Sequence, residues 1–350
     1  MRIVVNDIAA STGGALTVLR QFYDYIREND SVNEWIFLLG GDFLKETEKI
    51  KIIIRHDIKK SRLKKLLFDF LFGRFFINSL RADVVFSLQN TITFGVGKKQ
   101  IVYVHQSIPF QKAKKFSFFV PEERGLAVVQ HLIGRIIKLS CRYADGIVVQ
   151  TRWMKEAVMA QCHVNGEKII DALPCFESNL SSRNRKSFNN KLFIYPTSDA
   201  VYKNNELLLK ACECLNDRGV TDFKIILTLP PGRYSHPNIC CVGFMNPDRL
   251  WEYYGNCTLI FPSYIETVGL PLLEARSAGS LILCADTVFA HECLEGCANG
   301  YYFDFDSPER CAELMLKVIH GEVAPSAENI PHEKTMGWGN VCEFIKSFSS

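Results

Sequence analysis

Short apolar runs recur along this chain at intervals filled by longer, helically patterned stretches, and that alternation limits its fold more than any other feature. Arg2 to Val5, Trp35 to Leu39, Ile52 to Ile54, Val84 to Ser87, Ile101 to Val104 and Gly146 to Gln150 form one series. Leu192 to Tyr195, Lys224 to Leu229, Thr258 to Phe261 and Leu281 to Cys284 form a second. Runs of this length, rich in β-branched residues, read as buried strands, and strands alternating with helices build parallel sheets through βαβ crossovers. The series are separated by a change of texture near Ile169 to Ser187 and by a polar stretch, Ser178 to Asn190, which reads as an interdomain linker. With 350 residues, nearly half apolar, the chain is long enough for two domains, each with its own core. The predicted organisation is an α/β protein of two Rossmann-like, doubly wound domains over 1–170 and 171–330. A final helix within 331–350 is expected to return toward the first domain.

Composition removes several alternatives. Of the thirteen cysteines, six fall in close pairs, Cys212-x-Cys214, Cys240-Cys241 and Cys293-x3-Cys297, without paired C-x-x-C knuckles, so buried thiols in a reducing compartment are expected rather than zinc or disulfides. The opening stretch Ile3 to Val5 is too short for a signal peptide and no run reaches the length of a membrane span, which makes a cytoplasmic location the expectation. The formal charge of +3 hides an asymmetry: residues 1–170 hold 26 Lys and Arg against 16 Asp and Glu, and residues 171–350 hold 15 against 22. A basic half suits an anionic surface or substrate. Its cations do not alternate with base-stacking aromatics, so no nucleic-acid partner is expected. Lys59 to Phe76, with Leu63, Leu66, Leu67, Phe70 and Leu71 at one-face spacing behind a cluster of lysines, reads either as a core-packing helix or as one lying on an anionic leaflet. A second basic and aromatic stretch, Lys112 to Phe119, keeps peripheral membrane contact at the inner face in play.

The segment Phe261-Pro-Ser-Tyr-Ile-Glu-Thr-Val-Gly-Leu-Pro-Leu-Leu-Glu-Ala275 reads as strand, polar loop and helix. Pro271 fits the first helical turn, where its missing amide hydrogen costs nothing. The helix therefore starts near 269–271, and the amides of Val268, Gly269 and Leu270 with the positive end of the dipole favour an anion such as a phosphate. Gly269 permits close approach. Glu266 on the loop and Glu274 one turn into the helix flank that anion site, which suits a ligand with hydroxyls at both ends and phosphate between, such as a nucleotide-sugar. A plainer reading gives Glu274 to the helix dipole and Glu266 to solvent. Gly13-Gly14, before a helical run from Ala15 to Tyr25, opens the first βαβ unit and suits close approach of a diphosphate or an acceptor; an ordinary tight turn explains it equally. His105 begins the loop after Ile101 to Val104, at the strand end where ligands bind in open α/β sheets, and Arg152 follows the next strand. Lys203, in Tyr202-Lys203-Asn204 before a helix from Glu206, is placed to neutralise a diphosphate.

The segment from Pro262 to Ala275 resembles the donor-binding signature of family 4 of the retaining glycosyltransferases, and the likeness extends along essentially the whole chain, most strongly over Leu192 to Asp306. That resemblance implies the fold called GT-B, with the two domains facing each other across a cleft, and a retaining, metal-independent transferase needing no cofactor. His105 would contact the transferred sugar, Lys203 the leaving diphosphate and Glu266 the sugar hydroxyls. Glu274 would hold the ribose, and Gly13, Gly14, Asn204, Thr267, Val268, Gly269 and Leu270 would lie against the donor. Family members commonly carry an arginine where this chain has Thr197 or Ser198, so Arg276 and Arg233 become candidates for the missing phosphate contact. Asp304-Phe305-Asp306 spells a metal-binding D-x-D, yet it belongs to another glycosyltransferase fold and is discounted. The resemblance further implies bacterial O-antigen or capsule synthesis with a nucleotide-sugar donor and a lipid-linked oligosaccharide acceptor. GDP-mannose is favoured slightly over UDP-sugars by the Tyr-Lys-Asn segment. The alternatives are a nucleotide-sugar 2-epimerase and a non-catalytic partner subunit.

Overall fold

A computed structural model of the chain describes residues 1–10, 13–173, 187–326 and 337–348. The residues divide into two compact units. The first takes in 1–111, 125–175 and the chain from 335 onward. Its sheet has seven parallel strands: β1 (Arg2–Asp7), β2 (Glu34–Leu39), β3 (Ile50–Ile54), β4 (Val84–Ser87), β5 (Lys99–Val104), β6 (Gly146–Val149) and β7 (Ile169–Asp171), in the order β3-β2-β1-β4-β5-β6-β7. The apolar runs are continuous because both faces of this sheet are covered. Ile3 and Val5 pack with Phe22, Trp35, Phe37 and Phe86, while Val4 between them packs with Ile36, Leu38, Phe68 and Ile77.

The second unit holds 112–124 and 176–334. Its sheet has six parallel strands: β8 (Leu192–Tyr195), β9 (Lys224–Leu227), β10 (Ile239–Cys241), β11 (Thr258–Phe261), β12 (Ile282–Ala285) and β13 (Gly300–Phe303), in the order β10-β9-β8-β11-β12-β13. Both sheets therefore run outward from their first strand in one direction and then reverse, between β1 and β4 in one unit and between β8 and β11 in the other. At such a reversal the connections leave on opposite faces and a crevice opens at the carboxyl ends of the strands.

Several expectations need correction. The first helix begins at Gly13, so Gly13 and Gly14 lie in its first turn instead of in a loop. Ile169 to Asp171, read as the start of the linker, is the edge strand β7 in register with Ile147 to Val149; three residues ending in an acid are too few to show a period. Of the polar stretch assigned to the linker, 178–186 lies outside the described residues. Strands β10 and β13 were hidden by flanking proline and glycine and by the half-polar run Gly300 to Phe303. The segment Lys112 to Arg124, expected within the first domain, groups with the second unit. All twelve described cysteines are free thiols, eight of them buried.

The helix Trp338–Ser347 is part of the first unit. The Trp338 ring stands 5.0 Å from Phe22 and 5.7 Å from Tyr103, and Val341, Cys342 and Ile345 are buried in the same core. Lys346 closes the contact with an ion pair to Asp30 at 2.9 Å. Burial alone raises the Asp30 carboxyl, but the bonds from Lys346 and Asn33 outweigh it and hold the group down at about 2. Its contribution is therefore complete above the ordinary carboxylate range and is lost as pH falls toward 2. Trp338→Ala should cost the first unit roughly 3 kcal/mol, the scale of a truncated core aromatic. In differential scanning calorimetry the transition of the first unit should move down while the other stays in place.

Candidate active site

In the second unit β8 and β11 lie side by side, Ile194 opposite Leu259. The chain leaving β8 makes the turn Val201–Lys203 and enters the helix Asn205–Asp217; the chain leaving β11 crosses Pro262 to Gly269 and enters the helix Leu270–Ser277. Hydrogen bonds sew the two connections together. The Tyr264 amide donates to the Tyr202 carbonyl at 3.1 Å, and the Ser263 hydroxyl oxygen stands 3.2 Å from the same carbonyl. The Tyr195 hydroxyl donates to the Lys203 carbonyl at 2.9 Å. Asn204 occupies the left-handed region, with φ of 57°, which asparagine tolerates better than most residues. Its side-chain carboxamide nitrogen donates to the Phe305 carbonyl at 2.7 Å.

This bracing brings Lys203 and Glu266 together from positions 63 residues apart. The ammonium lies 2.5 Å from the Glu266 carboxylate, the Ser263 hydroxyl donates to the same oxygen at 2.8 Å, and each charged side chain is 17% exposed. A pair this sheltered is held in place and remains reachable.

Gly269 is the N-cap of the helix Leu270–Ser277, with φ of 80° and Pro271 in the first turn. A side chain there would be strained and would stand 3.2 Å from Leu272. As a glycine it offers no side chain to cap the first amides, so that end of the helix stays open to an external anion. Behind the loop the Cys293 thiol donates to the Val268 carbonyl at 2.7 Å. Thr267 and Leu270 flank this position. Glu274, one turn in, accepts from the buried Tyr254 hydroxyl at 3.0 Å. Burial raises its carboxyl above the ordinary value, and the tyrosine bond only partly offsets this.

A cavity of about 380 Å³ opens beside Lys203. Pro196, Thr197 and Ser198 form one wall, Thr228 and Pro230 a second, and Gly243, Phe244 and Met245 a third, with Phe244 91% exposed. Sequence reasoning missed the last two walls. Their signal was the Leu229-Pro-Pro-Gly232 turn and the positive φ demanded at Gly243, which shape the loops after β9 and β10. Thr197 is tied into its loop, its amide donating to the Thr228 hydroxyl oxygen at 2.8 Å and its own hydroxyl donating to Asn205 at 2.9 Å. Neither candidate arginine is shown at the cavity. Arg276 is buried and donates to the Cys293 carbonyl at 2.8 Å, and Arg233 pairs with Asp199 at 2.8 Å on the surface. Of Asp304-Phe305-Asp306, the two acids are exposed, and it is the central residue that works, lending its carbonyl to Asn204 and stacking its ring on Tyr264 at 5.4 Å.

In the first unit His105 follows β5. Its backbone amide donates to the Asn90 carboxamide oxygen at 2.7 Å, which turns the Asn90 nitrogen toward Nε2 at 3.1 Å. That nitrogen therefore accepts, and the proton sits on Nδ1. Burial lowers the imidazole to about 4, so it is neutral at pH 7 and acts as a hydrogen-bonding group, not a cation. Arg152 begins the helix Arg152–Cys162 and is exposed. The position beside Gly14 is open, with no atom within 4 Å of an added Cβ. Asp7, at the end of β1 beside the strand reversal, went unnoticed in the sequence because it closes an apolar run; burial raises it to about 7, against the pull of Lys65 and Lys59.

Residues 235–334 match the family model described as glycosyl transferases group 1. No curated protein matches the sequence. Among solved structures, Anabaena HepE in complex with UDP-glucose is 16% identical over 99% of this chain and 98% of its own, with a TM-score of 0.67. WaaG, a glycosyltransferase involved in lipopolysaccharide biosynthesis, is 12% identical over 98% and 99%, with a TM-score of 0.69. The lipopolysaccharide outer core galactosyltransferase WaaB, in its apo form, is 16% identical over 99% and 95%, with a TM-score of 0.60. The fold is GT-B. In this GT-B chain the matched region contains Glu266, Gly269 and Glu274 but begins after Lys203.

The sheltered pair makes a prediction that needs no ligand. Lys203→Met strands the Glu266 carboxylate and should lower stability by about 2 kcal/mol, whereas adding Glu266→Gln should return most of that loss. Urea denaturation of the two singles and the double measures the coupling.

Proposed function

We propose that this chain is a retaining glycosyltransferase that moves a hexose from a nucleoside diphosphate to a lipid-linked glycan acceptor in bacterial surface-polysaccharide synthesis, without a metal. The observation that carries the reading is the Lys203 and Glu266 pair at a strand reversal, beside a cavity and an uncapped helix start. It is supported by the group 1 match over 235–334 and by GT-B neighbours that include HepE with UDP-glucose and two lipopolysaccharide enzymes. UDP-hexoses come first as donors because of HepE, with GDP-mannose second.

The diphosphate settles against the amides at Gly269 and draws the Lys203 ammonium, which releases the Glu266 carboxylate to accept from sugar hydroxyls. Glu274 accepts from the ribose. Negative charge grows on the departing phosphate as its bond to the anomeric carbon breaks, and the fixed ammonium and helix amides stabilise it there, the largest expected electrostatic contribution. The acceptor oxygen bonds to the same face of that carbon and its proton passes to the leaving phosphate. Asn204, Thr267, Val268 and Leu270 are the second unit's further donor-side residues, and neutral His105, Gly13 and Gly14 are the first unit's candidates by the family resemblance alone. The 2-epimerase and the non-catalytic partner remain as outcomes of the test.

Nucleoside diphosphate release from a panel of UDP-, GDP- and dTDP-sugars, with and without vesicles carrying lipid-linked glycan, tests this directly. Release from one donor, stimulated by the acceptor and reduced about 10²- to 10³-fold in Lys203→Ala, is expected. An epimerised nucleotide-sugar without transfer would assign the second activity, and silence across the panel would leave a non-catalytic subunit. Donor affinity should be full above the raised Glu274 value and fall as pH drops through it, because the protonated carboxyl gives up an acceptor. Calorimetric titration of Glu274→Gln should show that limb gone. Gly14→Ala should leave stability equal or slightly higher, by up to about 1 kcal/mol, since a helical glycine is replaced in open space. A loss of turnover in that variant therefore marks ligand filling the gap.

A further inference from the structure

The helical stretch 62–79 carries side chains for which the site has no use. It runs as Arg62–Leu67, a π-helical segment Phe68–Phe72, and Gly73–Ser79. A π-turn bonds residues five apart, so side chains that an α-helix would stagger come into line across it. Phe68, Gly73 and Ile77 fall on the buried face in this way. Gly73 is obligatory there, since a Cβ would stand 2.5 Å from the Phe68 carbonyl oxygen. By the same spacing Leu63, Leu66, Leu71 and Phe75 form one outward stripe with Phe72 beside it. Leu63, Phe72 and Phe75 are 66, 62 and 64% exposed, and Leu66 and Leu71 are exposed as well. The apolar residues read as one helical face thus divide: Phe70 turns in to stack on Phe94 at 4.7 Å, and Leu63, Leu66 and Leu71 face solvent.

Charge around the stripe has one sign. From Ile58 to Ala82 the sequence contains Lys59, Lys60, Arg62, Lys64, Lys65, Arg74 and Arg81 against a single acid, Asp69. That acid is buried, bonded to Lys65 at 2.7 Å, Thr91 at 3.2 Å and Gln89 at 3.3 Å. Asp57 and Asp83, just outside, are engaged by Arg55 and by the Arg2 amide. Lys59 turns inward to the Ala10 carbonyl at 2.8 Å. Lys60, Lys64 and Arg74 stay exposed, with the Arg74 guanidinium 4.7 Å from the Phe75 ring. Leucines and phenylalanines bordered by uncompensated cations match the boundary between anionic headgroups and acyl chains. A second copy of the chain fits poorly, because it would bring the same cations against each other.

We propose that this face of 62–79 docks the chain on an anionic lipid bilayer, with Leu63, Leu66, Leu71, Phe72 and Phe75 in the interfacial layer and Lys60, Lys64 and Arg74 at the lipid phosphates. The proposal deepens the reading of a lipid-borne acceptor, and its test uses neither donor nor acceptor, so the two succeed or fail separately.

Flotation of the full chain with vesicles of phosphatidylcholine, and of phosphatidylcholine mixed with phosphatidylglycerol, reads it out. Binding is expected to be about tenfold tighter to the anionic vesicles and to weaken with added salt. Phe72→Ser/Phe75→Ser should reduce it by about tenfold at unchanged melting temperature and unchanged nucleoside diphosphate release. Lys60→Gln/Lys64→Gln, which leaves the apolar stripe untouched, should abolish the preference for anionic lipid and serves if the first variant misfolds. Absence of binding, equal binding to both vesicles, or binding indifferent to these variants overturns the proposal. A concentration-dependent dimer lost in Phe72→Ser/Phe75→Ser also overturns it, by giving the face to a second copy.

Discussion

The parallel pairing of β8 with β11 is the constraint on which the candidate site depends. Parallel strands cannot be joined by a tight turn, so each is followed by a loop and a helix, and two adjacent strands whose helices leave on opposite faces hold two loops together at one edge. Lys203 and Glu266 meet only because of that geometry. The bonds from Tyr264 to the Tyr202 carbonyl and from Ser263 to the Glu266 carboxylate then fix the meeting to within hydrogen-bonding tolerance. The glutamate and the lysine are thereby preorganised, since most of the cost of collecting opposite charges is met by the sheet.

Much of the fold was legible because both sheets are covered on both faces, which makes their central strands unbroken apolar runs. Two short edge strands escaped for the converse reason. β7 and β10 have three residues each and one neighbour apiece, so little in their composition distinguishes them from a loop. In the site, the helix start at Leu270 was readable from Gly269 and Pro271, whose backbone requirements are local. The walls around Phe244 and the tie between Thr197 and Asn205 were not, because they depend on which loops end at the same sheet edge.

The stretch 62–79 shows a different kind of failure. A helical wheel assumes one angular step throughout, and the π-segment Phe68–Phe72 breaks that assumption in the middle. Leu63 and Phe70 share a face on the wheel and occupy different environments in the molecule. Asp304-Phe305-Asp306 misleads similarly, since its residue types suggest metal chemistry while its structure uses the ring and carbonyl of the residue between them.

Trp338 completes a core begun by Phe22, Trp35 and Tyr103, and more than three hundred residues of chain separate it from the first of these. The second unit lies between them as an insertion in the first. During synthesis the first sheet therefore emerges early yet lacks part of its covering, whereas the second unit emerges as one continuous span apart from Lys112 to Arg124. The order of emergence and the order of completion are reversed, so a growing chain leaves the Phe22 cluster exposed until the helix carrying Trp338 is free to fold back.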